Sequence, residues 1–378
     1  MGFSKSDKNR NAFMLDGMFA DDGYDWWWHS FTGYHKVTGQ EKTFFVEFFT
    51  CNPELGGQEP VLGQLEQNQL LDKKPSYLMV KAGCWGKDHM QLHRFFGWDD
   101  VKLNKNAPYS IEADDCYASE YELKGSVMVS EDDCAAHPEW MSDAGSMSFD
   151  LRVHKMIPFN VGYGAGNLLR KMKAFEMYWH AEGMKTMYSG TVTVNGEIYD
   201  IIPDTCYGYA DKNWGDDFTS PWVWLSSNDL VSRSSGKRLL NSVFDIGGGR
   251  PVVFGKALDR KLLGAFYYEG YEYEFNFSKI WTGAHTKFTT KETEDAIFWH
   301  VRQESAKAVA DVKVKCMKED MLLVNYEAPD GSKRHKKLWN GGNGKGIVSL
   351  YEKYPDGLYL VDQMNAGHVG CEYGEYGN

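Results

Sequence analysis

The chain has 378 residues, enough for two domains that each bury a core, and its 15% aromatic content is typical of β-rich cores and apolar cavities. Its formal net charge of −12 argues against nucleic acid as a partner, because binding to phosphates needs clustered Lys and Arg. The seven cysteines are scattered, odd in number and without a Cys-x-x-Cys pair, which favours reduced thiols over a disulfide framework.

No segment reaches the ~20 apolar residues of a membrane span. Residues 1–20 are polar and mixed, without the apolar core of a signal peptide. We therefore expect a cytoplasmic protein with no membrane span, and the sequence leaves open whether it forms a homo-oligomer.

The first strand-like run, from Tyr24 to His29, contains three consecutive tryptophans. In an extended chain Trp26 and Trp28 share one face, and this spacing makes them candidates for lining a substrate cavity. The next run carries Glu47 as a carboxylate among aromatic neighbours. Glu47 faces either a pocket or the solvent side of a half-exposed strand, and the sequence leaves both readings open.

Two histidine-containing clusters follow. His89 and His93 have the i, i+4 spacing of helical metal ligands, but the Glu of a His-Glu-x-x-His motif is missing and the surroundings are typical of strand or loop, so we predict no metal site. Farther along, Trp179 is a candidate substrate contact and His180 a candidate base or hydrogen-bond donor, since histidine titrates near neutral pH. A histidine satisfied within the core is the alternative for His180.

The most informative segment is Tyr-Ala-Asp-Lys-Asn-Trp-Gly, residues 209–215. Burial beside indole rings moves the pKa of an acid into a useful range, which makes Asp211 the first candidate for a proton donor. If the segment is extended, Tyr209 lies on the same side as Asp211 and Lys212 points the opposite way. A turn whose Asp caps local amides is the alternative. Further candidate substrate contacts in and after this segment are Lys212, Asn213, Trp214, Trp222 and Trp224.

Short strand-like runs separated by turn signals such as Asn195-Gly196 predict a many-stranded, antiparallel, mainly β protein. The interruption at residues 201–204 predicts one domain over 1–205 and a second over 206–378, each with enough strands for a closed or nearly closed barrel. The glycine-rich run 341–346 lacks the helix that follows a phosphate loop, so we interpret it as a hairpin loop before a strand at 347–350.

The 209–215 segment resembles the signature of the tocopherol cyclase family and, more loosely, the wider carotenoid hydratase and Diels–Alderase-like group. The aromatic run 24–29, the hairpin at 194–199 and the glycine-rich turn 247–250 stand in the same order as in that family, and the resemblance covers most of residues 20–375. It implies two tandem lipocalin-like antiparallel β-barrels, the second beginning with the signature, and a site that opens between them. It also implies that the Tyr-x-Asp pair of the wider group's catalytic site corresponds to Tyr209 and Asp211.

Cyclising an apolar substrate requires a proton delivered to carbon in a water-poor pocket, which a protonated Asp211 can supply while aromatic faces stabilise the developing cation. Nucleotide-binding motifs are missing from the sequence, so the simplest mechanism uses no cofactor. We predict a cofactor-independent cyclase or isomerase, tocopherol-cyclase-like or chalcone-isomerase-like, acting on a hydrophobic phenolic or polyene substrate. In that reading Lys212 either contacts substrate or bridges the two barrels. The alternative functions are an alkene hydratase and a lipocalin-like carrier without catalysis.

Overall fold

A computed structural model describes residues 9–15, 19–20, 22–159, 174–257, 259–277, 282–324, 326–332 and 337–375. These residues form two compact units. The first unit takes its described residues from within 9–159, 174–218 and 324–332, and the second takes them from within 219–323 and 337–375. None of the helices in these ranges has the length and apolar character needed to cross a membrane.

The strands of the first unit are β1 (Tyr24–His35), β2 (Glu41–Cys51), β3 (Tyr77–Cys84), β4 (Met90–Phe96), β5 (Lys102–Asn104), β6 (Ser110–Ala113), β7 (Cys116–Ser119), β8 (Glu122–Val129), β9 (Gly145–Phe159), β10 (Met177–Val194), β11 (Glu197–Ile201) and β12 (Gly208–Gly215). They form one sheet in the order β4-β3-β2-β1-β11-β10-β9-β8-β7-β6-β5, with β12 pairing to both β1 and β10. Two short helices, α1 (Glu66–Leu70) and α2 (Glu131–Ala136), connect strands of this sheet.

The strands of the second unit are β13 (Trp222–Ser227), β14 (Asp229–Ser232), β15 (Val243–Gly249), β16 (Val252–Val253), β17 (Lys256–Ala257), β18 (Lys261–Tyr268), β19 (Tyr271–Phe275), β20 (His285–Glu292), β21 (Ala296–Glu304), β22 (Ala308–Met317), β23 (Met321–Val324), β24 (Leu338–Tyr354) and β25 (Gly357–Gly374). The main sheet has the order β19-β18-β15-β13-β25-β24-β22-β21-β20, with β14 pairing to β25 and β23 to β24, while β16 and β17 pair separately. Its core is a cluster of buried aliphatic and aromatic side chains that includes Trp299, Phe244 and Phe266.

Each sheet curls until the strand at one end approaches a strand from the opposite half of the sheet. In the first sheet, β4 lies beside β8, and Arg94 donates to the backbone oxygen of Ser126 at 3.1 Å. In the second, β20 approaches β18, and Thr286 donates to the backbone oxygen of Leu262 at 3.1 Å. The predicted mainly β fold with two antiparallel, lipocalin-like barrels is therefore confirmed.

Alternation of buried and exposed residues explains why these segments form strands. In β9 the buried positions include Met147, Phe149 and Leu151, with exposed residues between them. The predicted hairpin turn at Asn195 and Gly196 joins β10 to β11. Its two central residues have φ of 48° and 88°, the left-handed conformation that a tight Asn-Gly turn requires.

The predicted division at residue 205 places the signature segment at the start of the second barrel. The structure places it in the first sheet. Strand β12 pairs with β1 over Tyr24–Ser30 and with β10, so it belongs to the first sheet and does not begin the second barrel. In the described residues the two units divide after Phe218, and the segment 324–332 joins the first unit. The proline-containing interruption at 201–204 instead runs from the end of β11 into a short 3-10 turn, Pro203–Thr205, between two strands of one sheet.

The glycine-rich run 341–346 is also corrected by the structure. It lies inside β24 and pairs with β25 through register shifts, so the predicted hairpin loop is wrong, whereas the predicted strand at 347–350 is confirmed. A Cβ atom at Gly346 would lie 2.5 Å from the backbone oxygen of Lys313. The glycine run therefore serves close packing at bulges within a strand.

Candidate active site

The signature strand β12 is buried on both faces, and all eight of its residues are inaccessible or nearly so. Because successive side chains on a strand point to opposite faces, Tyr209, Asp211 and Asn213 share one face, which we name the acid face. Lys212 and Trp214 share the other, which we name the lysine face. Residues directly opposite one another in neighbouring strands lie on the same face, so the pairing register extends each face over the sheet.

Asp211 is held by two donors from the acid face. The indole Nε1 of Trp179 donates to its Oδ2 at 2.8 Å, and the hydroxyl of Tyr209 donates to the same oxygen at 3.1 Å. Trp28 lies directly opposite Asp211 in the register of β1 and β12. The structure thus brings together Tyr209, Asp211, Trp179 and Trp28.

Glu47 extends the acid face by one more strand, since it lies opposite Trp28 in β2. It is fully buried, with Lys81 Nζ 3.2 Å from its Oε2 and the hydroxyl of Tyr326 donating to that oxygen at 2.8 Å. Burial raises the pKa of Glu47, and the Lys81 charge opposes this rise. The alternative in which Glu47 faces solvent is therefore excluded.

Aromatic side chains cover the acid face beside these carboxyls. Trp28 stacks on Phe45 with ring centres 5.1 Å apart, and Trp26 stacks on Tyr326 at 5.5 Å. Asn213, also on this face, accepts a hydrogen bond from the hydroxyl of Tyr24 at 2.8 Å, which ties it to neighbouring β1. The contacts on the acid face therefore include broad apolar walls and a small number of fixed polar groups, as in sites for apolar small molecules.

Lys212 points to the lysine face, away from Asp211. Its Nζ pairs with the carboxylate of Asp25 and lies 3.8 Å from the centre of the Trp27 ring. Burial raises the pKa of Asp25 to about 6 in spite of the Lys212 charge, and burial lowers the pKa of Lys212. These contacts lie within the first unit and support a structural role for Lys212.

Two other predicted site residues also lie on the lysine face. His180 is opposite Lys212 in the register of β10 and β12, fully buried, and its Nε2 lies 3.0 Å from the side-chain oxygen of Asn11. Trp214 stacks on Tyr178 with ring centres 5.5 Å apart. The sheet separates both from Asp211, so the geometry does not unite His180 with the candidate acid.

Sequence reasoning missed a second buried ionic cluster on the lysine face. Lys155 Nζ lies 2.6 Å from Glu182 Oε2 and 3.0 Å from Glu120 Oε2. Burial raises the pKa of Glu182 to about 7, against the opposing Lys155 charge. The alternation in β9 contained a signal, because Lys155 occupies the buried phase of that strand.

Trp222 and Trp224 belong to the second unit, on β13. The indole of Trp222 donates to Glu372 Oε2 at 2.5 Å, and that of Trp224 donates to Asp245 Oδ1 at 3.1 Å. Both are buried, and each is oriented by a carboxylate. Their contact with substrate stays a prediction.

The two histidines with helical spacing do not lie on a helix. His89 is exposed in the turn before β4, whereas His93 is buried in β4, with its Nδ1 2.7 Å from the backbone oxygen of Trp140. Burial lowers the pKa of His93 well below its usual range. Across the described ranges, no group of three or more His, Cys, Asp or Glu residues is arranged to hold a metal ion.

Solved structures similar to this chain include three with low sequence identity. A protein described as AttH from Nitrosomonas europaea is 12% identical with a TM-score of 0.44, covering 93% of this chain and 95% of its own. Kievitone hydratase from Nectria haematococca is 13% identical with a TM-score of 0.44, covering 97% of this chain and 96% of its own. CghA with Sch210972 is 10% identical with a TM-score of 0.41, covering 95% and 90%.

None of the curated proteins compared with this chain matches it. The family model described as tocopherol cyclase-like matches residues 155–374, which is more than half of the chain and includes the whole of β12. The chain therefore belongs to the tocopherol cyclase-like family.

Proposed function

We propose that this protein is a cofactor-independent, acid-assisted cyclase or isomerase that adds a phenol or an alkene across a double bond of a hydrophobic phenolic or polyene substrate. The observation that carries the proposal is the pair of hydrogen bonds from Trp179 and Tyr209 to one oxygen of the buried Asp211. Membership of the tocopherol cyclase-like family supports the same reaction class.

The two hydrogen bonds give the Asp211 carboxyl a defined orientation. A neutral carboxylic acid accepts hydrogen bonds best at its carbonyl oxygen and donates from the other. Because both donors address Oδ2, a proton on this carboxyl belongs on Oδ1. The relative solvent exposure of Asp211 is 9%, whereas that of Glu47 on the same face is 0%. Asp211 is therefore the carboxyl that a bound molecule can reach.

In the proposed reaction the Asp211 proton forms a new C–H bond at one carbon of the substrate double bond. The phenol oxygen then forms a C–O bond with the resulting cationic carbon, and the phenolic proton returns to the carboxylate. Trp179 and Tyr209 stabilise the carboxylate in between, because hydrogen bonds to the charged form favour it. The faces of Trp28 and Trp26 stabilise positive charge on the substrate. The product is an isomer of the substrate, and the enzyme is regenerated.

The main rival is a carrier that holds a ligand inside a lipocalin-like barrel. In the first unit, the lysine face carries the Lys212 pair with Asp25 and the Lys155 pair with Glu182. Tyr109 reaches this face from the β5–β6 connection and stacks on Trp27, with ring centres 4.9 Å apart. The acid face also carries a buried ion pair, Glu47 with Lys81, but the lysine face carries two, so an apolar ligand would meet more buried charge on the lysine face.

The test incubates the protein with prenylated quinols, chalcones and polyenes without any added cofactor and analyses products by mass. An isomer supports a cyclase, a product heavier by one water supports the hydratase, and saturable binding without product supports the carrier. Asp211→Asn keeps the shape but loses the transferable proton, so turnover should fall by about 10² while ligand affinity changes little. Tyr209→Phe should cost less, since its hydroxyl orients the carboxyl.

The matched control is Asp362→Asn in the second unit. Asp362 is also buried and accepts from a tyrosine hydroxyl, that of Tyr268, at 3.2 Å. We expect this variant to keep its turnover. Turnover close to wild type in Asp211→Asn would remove Asp211 from the mechanism and direct attention to Glu47 on the same face.

A further inference from the structure

Two neighbouring hairpins of the second sheet carry a group of exposed aromatic side chains. Tyr271 follows the β18–β19 turn and is 69% exposed, while Tyr354 and Tyr359 flank the β24–β25 turn and are 53% and 51% exposed. With Tyr273 and Leu360 they help to line a groove of about 570 Å³. Large apolar side chains gathered on one exposed surface mark an interaction site more often than scattered ones do.

The tyrosine rings are held in place by carboxylates. The hydroxyls of Tyr273 and Tyr354 donate to the two oxygens of Glu352 at 2.8 and 2.7 Å, and Tyr359 donates to Asp356 at 2.6 Å. Tyr354 and Tyr359 lie perpendicular to one another with ring centres 5.4 Å apart. Rings fixed before binding lose little conformational entropy when a ligand arrives, which favours recognition.

The groove is acidic. The described residues that line it include the carboxylates Glu352 and Asp356 and neither Lys nor Arg. The adjacent Lys353 is paired with Glu304, at 3.1 Å between Nζ and Oε2. Charge complementarity therefore favours a cationic occupant and disfavours a second copy of this chain, whose net charge is −12.

We propose that this groove binds an arginine-bearing segment of a partner protein. A guanidinium group stacks flat on a tyrosine ring and donates two parallel hydrogen bonds to a carboxylate, so it matches both components of the groove. A lysine ammonium is a point charge that satisfies the carboxylates but stacks less well. The groove lies within the second unit, and the proposal is independent of the function proposed for Asp211.

The test uses a fluorescent synthetic hexapeptide that alternates arginine and glycine, with versions in which lysine or glutamate replaces arginine. Fluorescence anisotropy at low and at physiological salt should show saturable binding of the arginine peptide, weaker binding of the lysine peptide and none of the glutamate peptide. Tyr354→Ser and Tyr359→Ser should each weaken binding of the arginine peptide about tenfold. Glu352→Gln should weaken it and reduce its dependence on salt.

The matched control is Tyr121→Ser, which removes a tyrosine that is 61% exposed on the first unit. It should bind the arginine peptide as the wild type does, and unchanged thermal unfolding of all variants excludes misfolding. Three results overturn the proposal. They are failure of the arginine peptide to saturate, equal loss in the Tyr121 and Tyr354 variants, and self-association of the wild type that Tyr354→Ser abolishes.

Discussion

Replacing Lys212 by methionine tests how the signature strand is stabilised. Lys212 and Asp25 form a fully buried ion pair, and the Lys212 ammonium also lies 3.8 Å from the centre of the Trp27 ring. Lys212→Met keeps a side chain of similar length but removes the charge. The Asp25 carboxylate then stays buried, with the backbone N–H of Met14 donating to it at 2.7 Å.

Removing one partner of a buried ion pair costs about 3–5 kcal/mol, because the remaining charge is uncompensated. At about 2–4 °C per kcal/mol for a unit of this size, the melting temperature of the first unit should fall by about 6–20 °C. The pKa of Asp25 is about 6 although the Lys212 charge lowers it. Without that charge, the pKa of Asp25 in the variant should be higher still. Protonation below that pKa relieves the penalty, and the loss should therefore be larger at about pH 8 than at about pH 5.

Thermal unfolding of wild type and variant at both pH values measures this difference. Adding Asp25→Asn to Lys212→Met should recover much of the lost stability, because it removes the uncompensated charge. Lys353→Met, which breaks a partly exposed pair with Glu304, is the control and should cost no more than about 1 kcal/mol. The reasoning is refuted if Lys212→Met lowers the free energy of unfolding by less than about 1 kcal/mol at about pH 8. It is also refuted if the double variant is no more stable than Lys212→Met alone.

Two further predictions concern Glu327 and the cysteines. Burial raises the pKa of Glu327 from 4.5 to about 7, so it contributes stability below pH 4.5 that is lost as the pH rises to about 7. Glu327→Gln should therefore be more stable than wild type by up to about 3 kcal/mol at about pH 8, and equally stable near pH 4. Denaturant unfolding of both proteins measures this, and a stability difference that does not change with pH would contradict it. Of the seven cysteines only Cys134 is not buried, so native protein should expose one thiol that reacts quickly with a colorimetric thiol reagent, and Cys134→Ser should remove it. Denatured protein should titrate seven, and fewer would indicate a disulfide.

Local sequence patterns predicted the features that residues adjacent along the chain determine. The alternation of residues 209–213 placed Tyr209 and Asp211 on one face and Lys212 on the other, and the structure has that arrangement. The Asn195-Gly196 turn was equally readable, because its backbone conformation is determined by two residues. The prediction of a loop at 341–346 was wrong, since glycine permits both a loop and close packing in a strand. The pairing with neighbouring strands decides between them.

Long-range partners could not be predicted from one sequence. Tyr326, which donates to Glu47 and stacks on Trp26, is 279 residues from Glu47 along the chain. Lys212 is 187 residues from Asp25. Which acid neutralises which lysine depends on strand order and register, and no local propensity encodes these.

The order of residues in the signature has a physical consequence for Asp211. Asp211 and Lys212 are adjacent in sequence, but on a strand they point to opposite faces, so the Lys212 charge is directed to Asp25. Two donors to Asp211 on the acid face, Trp179 and Tyr209, are neutral. A lysine ammonium directed at Asp211 would favour the ionised carboxylate and oppose the protonated form that the proposed reaction requires. Strand geometry thereby allows one segment to carry a stabilising ion pair on one face and the proposed acid on the other.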